Sequence, residues 1–356
     1  MRALFDTRPA TNETGIGRYT RTLRDLLRDL RPDGLPRGHE VVFLDELISS
    51  WGSPAEEELE LPALLEREGI DVFHSPLFLL PAALPPGTRA VVTLHDAIPA
   101  VRPELCSPVF RELFERRARD AAEQADLIVC PSEHAREELQ AALGLSAGKL
   151  RVLPEAPAAC FGPQDQVALD ATLTRHDLRS GEFLLAVGTR ERRKGPDLLL
   201  EALASPATGQ VVLAWAGREG DVDLSAEAAR LGLGARVRVL GLVPDLELAA
   251  LMAASLAVVV ASRHEGFGLP VLEAFACAAP VVAAQATSLP EVAGNAALLV
   301  PPEDPGALAA AIGRLREDET LREDLRRRGR ARLDACYSPA AVQAGLRSLY
   351  EGLVAS

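Results

Sequence analysis

Two glutamates, Glu265 and Glu273, bracket a short glycine-containing stretch, Glu265-Gly-Phe-Gly-Leu-Pro-Val-Leu-Glu273. Gly266 and Gly268 permit a tight backbone path after an apolar run, and Pro270 suits the first turn of a helix. Glu265 therefore falls in the loop before that helix and Glu273 about one turn inside it, so the two carboxylates reach opposite ends of one ligand. Carboxylates accept hydrogen bonds from hydroxyl groups, and the free N–H groups of a helix start bind phosphate. An isolated pair of this kind reads more simply as a glycine-rich turn with one glutamate favoured by the helix dipole.

A cationic loop, Val187-Gly-Thr189-Arg190-Glu-Arg192-Arg193-Lys194-Gly195, has the composition to hold a diphosphate. Arginine grips phosphate oxygens bidentately and lysine acts as a point charge, which together offset negative charge growing on a leaving group. Alone, the loop reads equally well as a solvated charged turn. Near the start of the chain, Asn12-Glu-Thr-Gly15-Ile-Gly17-Arg-Tyr19 places glycines where a helix opens, which allows close backbone approach to a ligand. It meets only part of the dinucleotide-binding pattern, which wants glycine or alanine at Thr20 and an acid ending the second strand, where Asp45 is at hand. Val92-Thr-Leu-His95-Asp96 closes another apolar run. Taken singly, His95 reads as a hydrogen-bonded structural histidine, and His74-Ser-Pro76 as a turn that either lines a site or only closes a loop.

All these residues follow short apolar runs. Residues 2–5, 40–43, 71–73, 90–94, 127–130 and 150–153 read as buried strands, alternating with helical patterns at 16–30, 107–125 and 132–143. The last two helices begin at a serine placed to cap free N–H groups. Pro154-Glu-Ala-Pro-Ala-Ala-Cys-Phe-Gly-Pro163 then suits an extended connection. A second alternation places strands at 183–187, 211–215, 237–240, 256–260, 280–283 and 297–300, with helices near 197–203, 224–231, 246–253 and 270–278. Residues 305–315, 319–333 and 339–354 add helices and no strand. The expected fold class is α/β, with two Rossmann-like doubly wound domains at 1–160 and 179–338, a linker at 161–178, and a last helix (about 339–356) crossing back to the first domain. Open parallel sheets bind ligands at the carboxyl ends of their strands, so the site is expected where two such edges face each other across a cleft.

Placed between a strand and a helix in the second domain, the E-x7-E stretch resembles the signature of the retaining GT-B glycosyltransferases grouped as family 4, the group 1 glycosyltransferases. The resemblance covers nearly the whole chain. It implies that Glu265 contacts the donor sugar, Glu273 the ribose, and the backbone of Phe267-Gly268-Leu269 the sugar and diphosphate of a nucleoside-diphosphate sugar. The loop before Gly195 is similar to the family's phosphate loop, whose arginine and lysine match Arg193 and Lys194. Some members carry an arginine right after the first glycine, where this chain has Thr189, so Thr189 and Arg190 are secondary candidates. Gly15 and Gly17 would lie beside the donor diphosphate and the acceptor. Thr93-Leu-His95-Asp96 resembles the family's T-x-H-D segment, whose histidine lies near the reacting carbon; that role goes to His95 and secondarily to Asp96. Leu240-Gly-Leu-Val243-Pro-Asp245 and Ser288-Leu-Pro-Glu-Val-Ala-Gly294 match further segments, the first meeting the base through backbone near Val243. One departure is Ala278, where members commonly have glycine; the extra methyl is expected to shift the helix end slightly.

Composition narrows the alternatives. A chain of 356 residues, 48% hydrophobic and 25% charged, is ordinary for a soluble globular protein with two cores. Its net charge of -13 would repel a polyanion, so nucleic acid is not an expected partner. The cysteines form neither a C-x-x-C pair nor a zinc pattern, which fits a reducing cytoplasm. No run of ~18 apolar residues could span a bilayer, and the start turns polar too soon for a signal peptide. Residues 107–119 read as an amphipathic helix with Phe110, Leu113 and Phe114 on one face. Burial is the first reading of that face, and loose attachment to the inner membrane surface the second. Asp221-Val-Asp223 has the form of a metal-nucleotide motif from another fold but sits in a polar loop as a surface acid pair; no metal or cofactor is expected beyond the nucleotide-sugar substrate. There is no phosphate-binding G-x-x-x-x-G-K-[ST] loop and no G-x-S-x-G elbow.

The expectation is transfer of a sugar, with retention, from a nucleoside-diphosphate sugar to a hydroxyl of a glycan, lipid or small molecule. Resemblance in the Arg193-Lys194 loop suggests GDP-mannose as donor. A nucleotide-sugar epimerase and a noncatalytic nucleotide-sugar binding protein are the alternatives. The chain carries no code for its acceptor or its oligomeric state.

Overall fold

A computed structural model describes residues 1–30, 38–48, 54–81 and 83–355, apart from the side chains of 54–58 and 354–355. The chain divides into two compact units, one formed by Met1–Ala156 with Pro339–Ser356 and the other by Pro157–Ser338.

In the first unit, β1 (Arg2–Phe5), β2 (Glu40–Phe43), β3 (Val72–Ser75), β4 (Arg89–Thr93), β5 (Leu127–Cys130) and β6 (Leu150–Val152) form a parallel sheet in the order β2-β1-β3-β4-β5-β6. β3 and β5 are buried throughout, as strands covered by helices on both faces must be. The chain leaves β1 toward one edge and returns to build the sheet in the other direction from β3. The topological switch point, where open α/β sheets bind ligands, therefore lies between β1 and β3. The glycine loop follows β1, His74 lies within β3, and His95 follows β4.

The second unit repeats this plan. β7 (Phe183–Val187), β8 (Val212–Ala216), β9 (Val237–Gly241), β10 (Ala257–Val260), β11 (Val281–Ala284) and β12 (Leu298–Val300) run parallel in the order β12-β11-β10-β7-β8-β9. Here the switch point lies between β7 and β10, and the loops that leave those two strands carry the cationic cluster and Glu265.

The last helix, Pro339–Ala355, belongs to the first unit, where Val342, Leu346 and Tyr350 are buried with Phe5, Tyr19 and Leu23. Among the described helices of ten or more residues, two depart from the expected order of elements. Gln166–Arg175, within the stretch read as a linker, is a helix capped by Asp165 and packed on the helix Asp245–Ala254. Pro54–Arg67 is a helix whose Leu61, Leu64 and Leu65 are buried; Pro62 and a run of glutamates masked that apolar face. In the helix Pro108–Gln124 only part of the expected face is covered, because Phe114 is buried while Phe110 and Leu113 stay 38% and 43% exposed. Among the described residues, no helix is long and apolar enough to cross a membrane.

Candidate functional site

In the second unit the loop after β7 closes in a single tight turn, Arg192–Lys194, that ends on Gly195 in the left-handed conformation. The turn sends two cations toward the loop after β10. Lys194 Nζ lies 2.6 Å from Glu265 Oε1, Arg193 Nη1 lies 3.2 Å from Oε2, and Ser262 Oγ donates to Oε1 at 2.7 Å. Glu265 is 7% exposed. Burial opposes its charge, but Lys194, Arg193 and the Ser262 hydroxyl overcome that and hold the carboxyl down at about 2. At Lys194 the balance reverses: burial and the neighbouring Arg193 outweigh the pull of Glu265, and the ammonium is held below its ordinary value.

The backbone around Glu265 is fixed from β11's side. Glu265 N–H donates to Thr287 Oγ1 at 3.0 Å, and Ser288 Oγ donates to the carbonyls of Glu265 at 2.9 Å and Phe267 at 2.8 Å. Gly268 turns the chain into the helix Leu269–Ala276 with φ +109°, and a Cβ there would come within 2.7 Å of Leu289 Cδ2, so only glycine fits. Phe267 and Leu269 are buried, and the Phe267 ring stacks edge-on against Tyr337. Glu273 is fully buried within that helix. Burial, then the charge of Glu273, pushes the neighbouring Cys277 thiol up to about 12.

Other candidates on this unit are not drawn to the same point. Arg190 turns to the loop after β8, where its guanidinium lies 3.4 Å from the Gly217 carbonyl and 3.6 Å from Glu219. Thr189 beside it and Val243 after β9 are half-buried. In the acid pair, Asp221 accepts from the backbone N–H of Arg192 at 3.0 Å, and Asp223 caps the next helix through Ala226 N–H. Arg263, which no sequence motif singled out, clamps the turn. It pairs bidentately with Asp197 at 2.9 and 2.8 Å, donates to the Arg192 carbonyl at 2.6 Å, and its backbone N–H bonds the Arg193 carbonyl. Its position two residues before Glu265 was the available signal.

In the first unit the helix Gly15–Asp29 opens after β1. Gly15 is open to solvent on the Cβ side, whereas a Cβ on Gly17 would lie 1.7 Å from the Asn12 carbonyl oxygen. Gly17 is thus required by the loop's own fold, which folds Asn12 back over the helix start. Two residues on, Tyr19 is buried and places its hydroxyl 3.2 Å from Thr93 Oγ1 and its ring edge-on to His95 at 4.8 Å. His95 Nε2 lies 3.1 Å from the Pro76 carbonyl, and Nδ1 lies 3.3 Å from Glu155 Oε1. Burial works against a charged imidazole, yet Glu155, the Pro76 carbonyl and Asp96 together raise its pKa. Asp96 itself caps the following turn through Ile98 N–H. His74 is fully buried, bonds Tyr350 Oη through Nδ1 at 2.7 Å, and is pushed down to about 3 by burial. It ties β3 to the last helix.

Comparison with known proteins gives this arrangement a setting. The chain matches the descriptions "Glycosyltransferase Family 4" over residues 19–156 and "Glycosyl transferases group 1" over residues 176–332. It is similar to the O-antigen chain mannosyltransferase B of Escherichia coli, with 31% identity over 366 residues that take in 93% of this chain and 94% of that one. It is also similar to the MMP alpha-(1->4)-mannosyltransferase of Mycolicibacterium hassiacum, with 29% identity over 93% of this chain and 84% of that one. Among solved structures, sucrose-phosphate synthase from Thermosynechococcus elongatus aligns at TM-score 0.78 and 22% identity, covering 100% of this chain and 99% of its own. Anabaena HepE in complex with UDP and glucose aligns at TM-score 0.74 and 19% identity, covering 99% of this chain and 100% of its own. Both likenesses are of fold.

Proposed function

This chain belongs to the group 1 glycosyltransferases, with the two-domain GT-B fold, and we propose that it transfers a sugar from a nucleoside-diphosphate donor to a hydroxyl acceptor with retention of anomeric configuration. The observation that carries the proposal is the convergence of Arg193 and Lys194 on Glu265 at the switch point of the second sheet. Two cations fixed by a carboxylate form a site preorganised for a diphosphate. As the bond from the anomeric carbon to the diphosphate oxygen breaks, charge grows on that oxygen, and cations already in place stabilise it without reorganising. Glu265 then meets the donor sugar's hydroxyls and Glu273 the ribose, while the backbone of Phe267-Gly268-Leu269 lies along the diphosphate. His95 acts on the transferred sugar. Mannose is the sugar favoured by the names of the two relatives, and GDP as its carrier rests on the resemblance in the Arg193-Lys194 loop. This reading gives the diphosphate's charge to side chains and needs no metal.

The test is calorimetry of the full chain against GDP-, UDP-, dTDP- and ADP-sugars, followed by transfer assays with the donor that binds. Lys194→Ala removes a charge-assisted contact and should weaken donor binding by ~10-fold or more, since such a contact contributes roughly 1.5–3 kcal/mol. Glu273→Ala should also lower donor affinity or turnover with the circular dichroism unchanged. Unaltered kinetics in both variants would sink the site assignment. Release of an epimer without nucleotide, or tight donor binding with no transfer to any acceptor, would replace the reaction.

A further inference from the structure

We infer that Glu155 is a positioning residue that keeps His95 doubly protonated, so that His95 works as a fixed cation and not as an acid or base. The inference rests on the glycosyl-transfer reading for its functional meaning, but its physical content stands on the first unit alone.

Each ring nitrogen of His95 faces a group that takes a proton-bearing partner. The Pro76 carbonyl, 3.1 Å from Nε2, can only accept, so Nε2 carries hydrogen. At Nδ1 the partner is Glu155 Oε1 at 3.3 Å, and an ionised carboxylate also only accepts. A neutral ring would turn a bare lone pair toward that carboxylate. The Glu155 side chain is 7% exposed and that of His95 17%, so little water screens the pair. Rotation of the ring away from this pairing is opposed by Tyr19, whose ring meets it at 86° and whose hydroxyl is held at Thr93.

The charged surroundings favour the same state. Besides Glu155, Asp96 follows in sequence, and Glu138 from the helix Glu133–Leu143 binds Ala97 N–H at 2.8 Å while pairing with His134 at 3.5 Å. Tyr19, whose ring meets that of His95, is neutral at ordinary pH, its pKa pushed up by burial. Glu155 itself lies one residue before the first unit's main stretch ends at Ala156, in the proline-containing stretch read from sequence as a plain connection. With both N–H groups committed, His95 has no lone pair with which to take the acceptor's proton. Its contribution is a charge and a ring held at one place, and both depend on Glu155.

The experiment is the pH titration of ¹⁵N-histidine-labelled full-length protein, with the His95 signals assigned by their loss in His95→Asn. Wild-type His95 should titrate above the ordinary value of ~6.5 and be doubly protonated at pH 7, while in Glu155→Gln its titration midpoint should fall toward that ordinary value. Glu155→Asp should recover part of that fall. In transfer assays the Glu155→Gln defect in kcat/KM should be larger at pH 8 than at pH 6, with KM for the donor little changed, because the charged fraction of His95 falls by up to tenfold for each pH unit above its midpoint. A neutral, singly protonated His95 at pH 7 in the wild type overturns the inference, as does an identical midpoint in Glu155→Gln. If Glu155→Gln does not fold, the wild-type spectrum and Glu155→Asp decide. If no sugar is transferred from any donor, the glycosyl-transfer reading fails while the titration still answers for Glu155.

Discussion

Replacing Glu265 by alanine should destabilise the second unit by about 3 kcal/mol at neutral pH, and two independent lines of reasoning meet at that figure. A carboxyl lowered from 4.5 to about 2 on folding contributes about 3 kcal/mol at neutral pH, because each tenfold change in proton affinity corresponds to about 1.4 kcal/mol. Breaking a buried ion pair by removing one partner costs roughly 3–5 kcal/mol, since the other charge is left in the interior. Here two cations are left, Lys194 and Arg193, yet Lys194 is already held below its ordinary pKa and can shed its proton, which keeps the cost near the lower end. The assay is urea unfolding followed by tryptophan fluorescence in a Trp51→Phe background, leaving Trp215, whose indole N–H donates at 2.7 Å to the Gly188 carbonyl at the start of the cationic loop. The sign with pH follows from the depressed carboxyl: the stabilisation is present above the unfolded value of 4.5 and is lost as pH falls toward 2. The gap between wild type and variant should therefore narrow on acidification from about pH 5 to 3. A gap below about 1 kcal/mol at pH 7, or one that widens in acid, would refute the idea that Glu265 gathers the two cations.

Two further substitutions probe places where the fold carries an avoidable cost or a single tie. Ala278 sits at φ +53°, a conformation that disfavours a Cβ, with its carbonyl accepting from Arg326 Nε at 3.2 Å. Ala278→Gly should raise stability by about 1 kcal/mol in the same urea assay, and a loss would show that the methyl is better accommodated than its dihedral implies. Tyr350→Phe removes the hydroxyl that bonds His74 Nδ1 in a fully buried setting. It should cost about 1–3 kcal/mol in thermal unfolding of the first unit, with a change under about 0.5 kcal/mol showing that the histidine does not depend on it.

Much of this molecule was legible residue by residue, because the interactions involved are local. Every expected strand forms within a residue or two of its apolar run, since the central strands, buried on both faces, must be continuously apolar, while the edge strands β6 and β9 keep apolar residues at alternate positions. The serine caps at Ser107 and Ser132, the turn on Gly268 and the helix start at Leu269 likewise depend on neighbours in sequence. The E-x7-E stretch and the Arg193-Lys194 loop could be picked out for the same reason. Helix Pro54–Arg67 escaped because a proline and a run of glutamates broke its apolar period, and Gln166–Arg175 because its amphipathic pattern is weak.

What the tertiary structure alone decided are the pairings between residues far apart in the chain. Nothing near Arg190 in sequence says that it turns to Gly217 and Glu219 while Arg193 and Lys194 turn to Glu265; the strand order does, by laying β10 on one side of β7 and β8 on the other. Arg263 clamps Asp197, Tyr350 reaches His74, and Glu155 reaches His95 only because parallel crossovers bring distant strand ends to one edge. Sequence determined which groups are present and which follow a strand. Whether a carboxylate faces a cation, and whether a histidine holds one proton or two, depends on burial and on partners that only the packed sheets assemble.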